Sequence, residues 1–338
     1  MRVTLLGTGG TIASTSLTDK AVGVTPRLDA LSIARSIGAV LPGIVVTARD
    51  ILLRPSPSLT LEDVVAMRDA ARREIDAGSN GVVLTHGTSS LEESAFALSL
   101  LWDRDAPLVV TGAIRNPSLA GSDGPSNVRS AIVAAASPHV TGVVVAFDGE
   151  LWLPRHLRKI HTNSASPFDS RQTGRIGWIS EDTASIALRP AGVQRIALDK
   201  VGVVPQVALI SAPMGDDGSI PRLLLDSPVH GVVVEGMGGG HVPATWLEPL
   251  SLLAARVPVV IASRVGAGVV FRSSYTFPGS DIDLAGRGLV GSGSLDGRKA
   301  RILLQILLAA GAGDNWAAAF EALSGTSDAQ FPPRERNN

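Results

Sequence analysis

A chain of 338 residues, 45% hydrophobic and 18% charged, is long enough to bury one large core or two, and its length favours two domains. The formal net charge of −1 offers no electrostatic case for nucleic acid or an anionic membrane surface as partner. Cysteine is absent, which excludes disulfides, thiol nucleophiles and thiolate metal sites, and no apolar run approaches the roughly 20 residues of a membrane span.

The first predicted element is a buried strand, Val3 to Leu6, entered without a charged, apolar or cleavable leader, so a cytoplasmic protein is expected. Gly7, Gly9 and Gly10 then let the backbone turn where a larger residue would be strained, leaving Thr11 at the carboxyl end of the strand. Ligands bind at that end of open parallel sheets. The glycines do not fit two better-known loops: a dinucleotide fingerprint needs a third glycine where Ile12 stands, and a phosphate loop needs a lysine that does not follow. By itself the stretch is equally a glycine turn with a capping threonine.

Further strands are predicted at Ile44 to Thr47, Gly81 to Leu84, Pro107 to Val110 and Gly142 to Ala146. Their hydrophobicity is continuous rather than alternating, which suits parallel strands covered on both faces. Between them, Thr60 caps an amphipathic run to Ala77 that Gly78 closes. Ser90 and Glu93 form a capping-box pattern before Ser94 to Trp102, and Gly124-Pro125 opens a helix to Ala136. Arg189-Pro190-Ala-Gly192 breaks the rhythm. Strands at Val207 to Ser211, Gly231 to Val234 and Pro258 to Ala262, with helices at Pro243 to Arg256 and Arg298 to Ala310, then repeat it in shorter form. The expected fold is α/β in two domains: a larger amino-terminal, mostly parallel sheet domain over residues 1–189, a linker over 190–206, and a smaller carboxyl-terminal α/β domain over 207–338. The tail from Ser324 is expected to fray.

Gly81 to Ser94 repeats the opening architecture, a buried strand running into Thr85-His86-Gly87-Thr88 with a helix starting at Ser89-Ser90. Thr88 thus sits beside the N–H groups of a helix start, a natural place for developing negative charge. Two threonines on two strand ends suggest hydroxyl nucleophile chemistry. A threonine hydroxyl is a poor nucleophile at neutral pH and needs a group to take its proton; a lysine whose pKa is lowered by burial serves, with a second hydroxyl as relay.

With Thr8-Gly-Gly-Thr-Ile-Ala13 and Thr85-His-Gly-Thr88, the chain resembles the bacterial L-asparaginase family of threonine-dependent amidohydrolases. Further matching stretches follow in order: Thr111 to Arg115, Ser122 to Asn127, Arg155 to Lys159 with Phe168 beyond, Gly236 to Pro243, Ser263 to Val265 and Lys299 to Leu304. The resemblance implies hydrolysis of a small-molecule amide through an acyl-Thr11 intermediate, with Thr88 and Lys159 as the proton-transferring pair and with no cofactor or metal. It further implies that Ser56 holds the substrate carboxylate, that the main-chain carbonyl of Ala113 holds the leaving amide, and that the chain forms a homodimer or homotetramer with sites near subunit interfaces. In such an assembly Asp281 of a neighbouring copy approaches the substrate amino group.

Several positions depart from the family pattern. Ser89 stands where the family has an aspartate, Pro57 follows Ser56 in place of glutamine, His241 replaces an asparagine and Asp281 a glutamate; Ser14 to Thr25 lacks the lid tyrosine, and the single tyrosine of the chain is Tyr275. Thr11, Thr88 and Lys159 are intact, while groups that would read a free α-amino acid are altered. A charge-assisted hydrogen bond is about twice as strong as a neutral one, so Ser89 is the most consequential change. Three readings are therefore open: an asparaginase, a related amidase or lactamase acting on a small amide without a free α-amino group, and a non-catalytic metabolite-binding protein on the same scaffold.

Overall fold

The computed structural model describes residues 1–15, 23–38, 41–189 and 194–325. Most of the loop after the first strand, residues 190–193 of the expected linker and the tail from 326 lie outside the described residues. Among the described residues no helix is long and apolar enough to cross a membrane. The chain divides into two compact units, Met1–Arg195 and Ile196–Asn338.

The first unit is an α/β sandwich on one eight-stranded sheet. In chain order its strands are β1 (Arg2–Gly7), β2 (Val45–Asp50), β3 (Gly81–Thr85), β4 (Leu108–Thr111), β5 (Val143–Phe147), β6 (Glu150–Trp152), β7 (Gly177–Ser180) and β8 (Thr183–Ile186). Across the sheet they run β8-β7-β6-β5-β4-β3-β1-β2. The five from β5 to β2 are parallel, and β6, β7 and β8 extend them antiparallel. The interior strands β1, β3, β4 and β5 are buried almost throughout, as their uninterrupted Val-Leu runs require; β2, at the edge, is half-exposed.

Helices α1 (Ala30–Arg35), α2 (Leu61–Asp76), α3 (Leu91–Leu101) and α4 (Gly124–Ala136) make the crossovers. The pairs α1 with α4 and α2 with α3 pack together. One core unites Val3, Leu5, Val83, Val109 and Val144 with Ile33 and Ile132. Each such aliphatic side chain stabilises the fold by about 2 kcal/mol on burial. The chain leaves β1 toward β2 on one side and returns past it to β3 on the other, so connections diverge between β1 and β3. That is the switch point of an open α/β sheet, where a crevice opens at the carboxyl ends of the strands.

Two local outcomes differ from expectation. The Thr60 cap forms fully, with Thr60 Oγ1 accepting from Asp63 N and Asp63 Oδ2 accepting from Thr60 N. The Ser90 cap does not: its hydroxyl makes no capping bond and instead donates to the carbonyl of Ser56 at 2.7 Å. The antiparallel extension β6 to β8 was not expected, because its strands are short and partly exposed, and its turns pass through the left-handed residues Asp148, Glu181 and Asp182.

The second unit carries a smaller, wholly parallel sheet, β9 (Val207–Ser211), β10 (Gly231–Gly236), β11 (Val259–Ser263) and β12 (Val290–Gly291), in that order. Around it lie α5 (Ser219–Leu223), α6 (Leu247–Ala254), α7 (Asp281–Gly286), α8 (Gly297–Ala309) and α9 (Trp316–Ser324). The helix expected from Pro243 begins as a 3-10 turn, Ala244–Trp246, before α6. Val232, Val234, Trp246, Leu250 and Ile261 form the centre of the core.

Candidate active site

Four consecutive parallel strands deliver their exit turns to the same end of the sheet. After β1, Thr8 is pinned by its hydroxyl, which donates to the Thr85 carbonyl at 2.6 Å. Gly9 and Gly10 follow with φ of 99° and 85°, a region open to glycine at little cost. A Cβ on Gly9 would lie 2.7 Å from the Arg54 carbonyl, and one on Gly10 2.5 Å from the Cα of Gly87. A Cβ on Gly87 would in turn meet the Ser56 hydroxyl at 2.6 Å. The turns after β1, β2 and β3 are therefore locked against one another through missing side chains, and Arg54 is itself held by Asp63 at 3.1 Å.

Thr11 opens a 3-10 turn, Thr11–Ala13, whose other residues are buried while Thr11 is half-exposed. Among the described residues its hydroxyl has no hydrogen-bond partner. Ser14 Oγ donates back to the Gly10 carbonyl at 2.8 Å and closes this turn. Ser56 is buried at the start of another 3-10 turn, Ser56–Ser58, with its carbonyl tied to Ser90.

Thr88 is buried, and its Oγ1 accepts from Lys159 Nζ at 2.8 Å. Lys159 reaches it from a two-stranded antiparallel ribbon, Arg158–Lys159 with Phe168–Asp169, in which Phe168 is the direct partner of Lys159. Phe168 is buried and packs edge-on against Phe147 at the end of β5, 5.0 Å between ring centroids. Burial holds the Lys159 ammonium below the ordinary lysine pKa, and the carboxylate charge of Glu92 works in the opposite sense. Glu92 is almost wholly buried at the start of α3, and its Oε2 accepts the backbone N–H of Lys159.

His86 is buried and neutral. Burial pushes its pKa down to about 4, against the opposing effect of the bond from its ring to the Gly87 carbonyl. That bond, 2.8 Å from Nδ1, requires Nδ1 to carry the proton, since a carbonyl only accepts. Nε2 is then a buried acceptor with no partner among the described residues.

The exit of β4 is held by α4. Asp123 accepts from the N–H groups of Ile114 and Arg115 at 2.9 and 2.8 Å, and Asn127 Nδ2 donates to the Gly112 carbonyl at 3.0 Å. These bonds bracket Ala113, whose main chain was the expected contact for the leaving amide. Asp123 and Asn127 were legible only as part of a motif, and Glu92 was not singled out, because its partner Lys159 lies 67 residues away.

Thr11, Ser56, Thr88, Ser89, Ala113 and Lys159 thus all belong to the first unit. Ser89 is exposed between the buried Thr88 and half-exposed Ser90. His241 and Asp281 belong to the second unit and face one another, Nε2 to Oδ1 at 3.7 Å. Asp281 is buried at the start of α7 and accepts from the N–H groups of Ser274 and Tyr275 at 2.6 and 3.0 Å. His241 lies in an aromatic cluster with Phe271, Tyr275 and Phe277, ring centroids 5.1 to 6.1 Å from its own.

A hydroxyl without a partner among the described residues, a second hydroxyl bonded to a half-buried lysine and the switch point of a parallel sheet define a site suited to hydroxyl-mediated acyl transfer. The family model "Asparaginase, N-terminal" matches residues 2–191, and "Glutaminase/Asparaginase C-terminal domain" matches residues 206–319. An L-asparaginase of Bacillus licheniformis is 31% identical over 319 residues, covering 91% of this chain and 95% of its own. L-asparaginase 2 of Escherichia coli (strain K12) is 29% identical over 321 residues, covering 90% and 88%. The crystal structure of a probable cytoplasmic L-asparaginase from Campylobacter jejuni shares the fold, with a TM-score of 0.85 at 24% identity over 96% of this chain and 99% of its own. The chain belongs to the asparaginase family.

Proposed function

We propose that this protein hydrolyses the side-chain amide of asparagine, or of a close analogue, by acyl transfer to Thr11. Family membership makes it a hydrolase of carbon-nitrogen amide bonds acting on a small-molecule amide. The observation that carries the mechanism is the 2.8 Å bond from Lys159 Nζ to Thr88 Oγ1. Burial favours the neutral amine of Lys159. In that state Lys159 draws the proton of Thr88, Thr88 draws that of Thr11, and Thr11 Oγ attacks the amide carbon. The oxyanion is received by backbone N–H groups around Thr11 and the Thr88 turn, where preorganised donors are worth most. Collapse breaks the carbon-nitrogen bond, the relayed proton leaves with ammonia, and water hydrolyses the Thr11 ester through the same groups.

Ser56 binds the substrate carboxylate in this reading, and the Ala113 carbonyl the leaving amide. A homodimer or homotetramer brings Asp281 and His241 of a neighbouring copy to the substrate amino group. The partly exposed aromatic rings of Phe271, Tyr275 and Phe277 around that pair support burial against another copy, because clustered apolar surface of this kind marks contact sites.

A second reading is favoured by Ser89. An exposed hydroxyl in place of a carboxylate leaves the substrate ammonium without its charged acceptor, so an amide whose amino group is missing or blocked fits the site better. Ammonia release from asparagine, glutamine, succinamate and N-acylated asparagine, each compared with Thr11→Val, separates the two. Turnover of asparagine with micromolar KM and ordinary kcat establishes the first reading and refutes the second. Turnover confined to the amino-free substrates does the reverse, and release that persists in Thr11→Val removes Thr11 from the mechanism.

A further inference from the structure

We propose that Glu92 is a positioning residue for bond cleavage: from the first turn of α3 it anchors Lys159 and governs that lysine's charge, supplying the carboxylate that position 89 lacks. The inference rests on the reading of Lys159 as the proton acceptor.

Glu92 is 2% exposed on a helix whose neighbouring buried residues are Leu91, Ala95, Phe96 and Leu98. A carboxylate there is costly unless it is engaged. The helix start offsets part of that cost, because the N-terminal dipole favours negative charge. The engagement is specific: Oε2 accepts the backbone N–H of Lys159, while the Nζ of the same lysine donates to Thr88 Oγ1. Thr88 and Glu92 are four residues apart on one connection, so a single lysine is gripped at its backbone and at its tip by the same turn of chain. The ribbon that carries Lys159 is only two residues long on each strand, and this second attachment fixes the lysine where its own hydrogen-bonded ladder is minimal.

The surrounding charges single out the same residue. Arg155 and Arg158 precede Lys159 on its own segment, Asp169 lies opposite Arg158 on the facing strand, Glu93 follows on α3, and His86 on the Thr88 turn is neutral. Burial lowers the pKa of Lys159, and the charge of Glu92 acts in the opposite direction. Burial disfavours the charged amine, and the carboxylate of Glu92 opposes that by favouring it. Ser89 brings no carboxylate to this turn.

The test uses the whole chain and its four lysines, Lys20, Lys159, Lys200 and Lys299. Lysine side-chain NMR follows their titration, with the Lys159 signal assigned by its loss in Lys159→Arg, and kcat/KM for ammonia release is measured across pH in parallel. In Glu92→Gln the side-chain oxygen still accepts the Lys159 N–H, so the fold is kept while the charge is lost. The Lys159 midpoint is expected to fall by roughly one unit. The acid limb of kcat/KM moves down with it, about tenfold faster below the limb. In Glu92→Ala the same shift is joined by a loss of kcat at the optimum. A Lys159 midpoint in Glu92→Gln equal to that of the parent overturns the inference. A midpoint that falls while the acid limb stays put leaves Glu92 in control of the lysine's charge but overturns Lys159 as the proton acceptor, and with it the part of Glu92 in bond cleavage.

Discussion

Gly87 occupies the space where a side chain on Gly10 would begin, so the turns after β1 and β3 touch backbone to backbone. The contact joins the stretch that ends in Thr11 to the stretch that ends in Thr88. Gly87→Ala forces its new methyl into Ser56, and overpacking of this kind costs about 1–3 kcal/mol. Gly10→Ala adds the strain of a left-handed backbone and is expected to be the more destabilised of the two. Thermal unfolding ranks them. Kinetics should show Gly87→Ala raising KM through Ser56 as well as lowering kcat, and unchanged kinetics in both variants would mean that the close packing does not position the site.

Thr11→Val removes a hydroxyl that makes no hydrogen bond among the described residues and keeps the branched shape. The expected result is an unfolding midpoint within a degree or two of the parent and a loss of ammonia release of roughly a thousandfold or more. A large loss of stability would show that the hydroxyl is structural.

Thr88 and Lys159 act as a unit in the proposed relay, so their substitutions should not add. Thr88→Val and Lys159→Met are each expected to lower kcat by roughly a hundredfold or more, the double variant falling little below the worse single. Fully additive losses in the double-mutant cycle would separate the two residues.

His86 gives stability a pH dependence of known sign. Its folded pKa of about 4 lies below the ordinary value of 6.5, so between these pH values the unfolded chain binds a proton that the folded chain refuses. Stability contributed by neutral His86 is complete above pH 6.5 and falls as the pH drops toward 4, by up to about 3 kcal/mol. His86→Gln should flatten the Tm against pH curve over that window. A curve as steep as the parent's would assign the dependence to other groups.

The parallel core could be read from the sequence because its strands announce themselves: Gly81 to Leu84 and Gly142 to Ala146 are apolar without interruption, and burial on both faces demands that. Strand β2 was placed too early and too short, since as an edge strand it admits Arg49 and Asp50. Glycine spacing pointed to Thr11 and Thr88, yet nothing local distinguishes Lys159 from a basic surface loop. Its position depends on pairing with Phe168 across a turn and on Glu92 from a helix 67 residues earlier. The Ser90 cap shows the limit of local patterns: the motif is intact, and a competing carbonyl at Ser56 takes the hydroxyl.

Between Thr88 and Ser90 the chain comes to the surface for one residue. The buried neighbours Gly87 and Thr88 are tied to Ser56, Gly10 and Lys159, whereas the exposed side chain at 89 can be exchanged without repacking anything beneath it. In evolutionary terms the two properties are separable under the proposed mechanism: a single substitution at the rim can change what is recognised while the close packing of Gly10, Gly87 and Ser56 beneath it stays as it is.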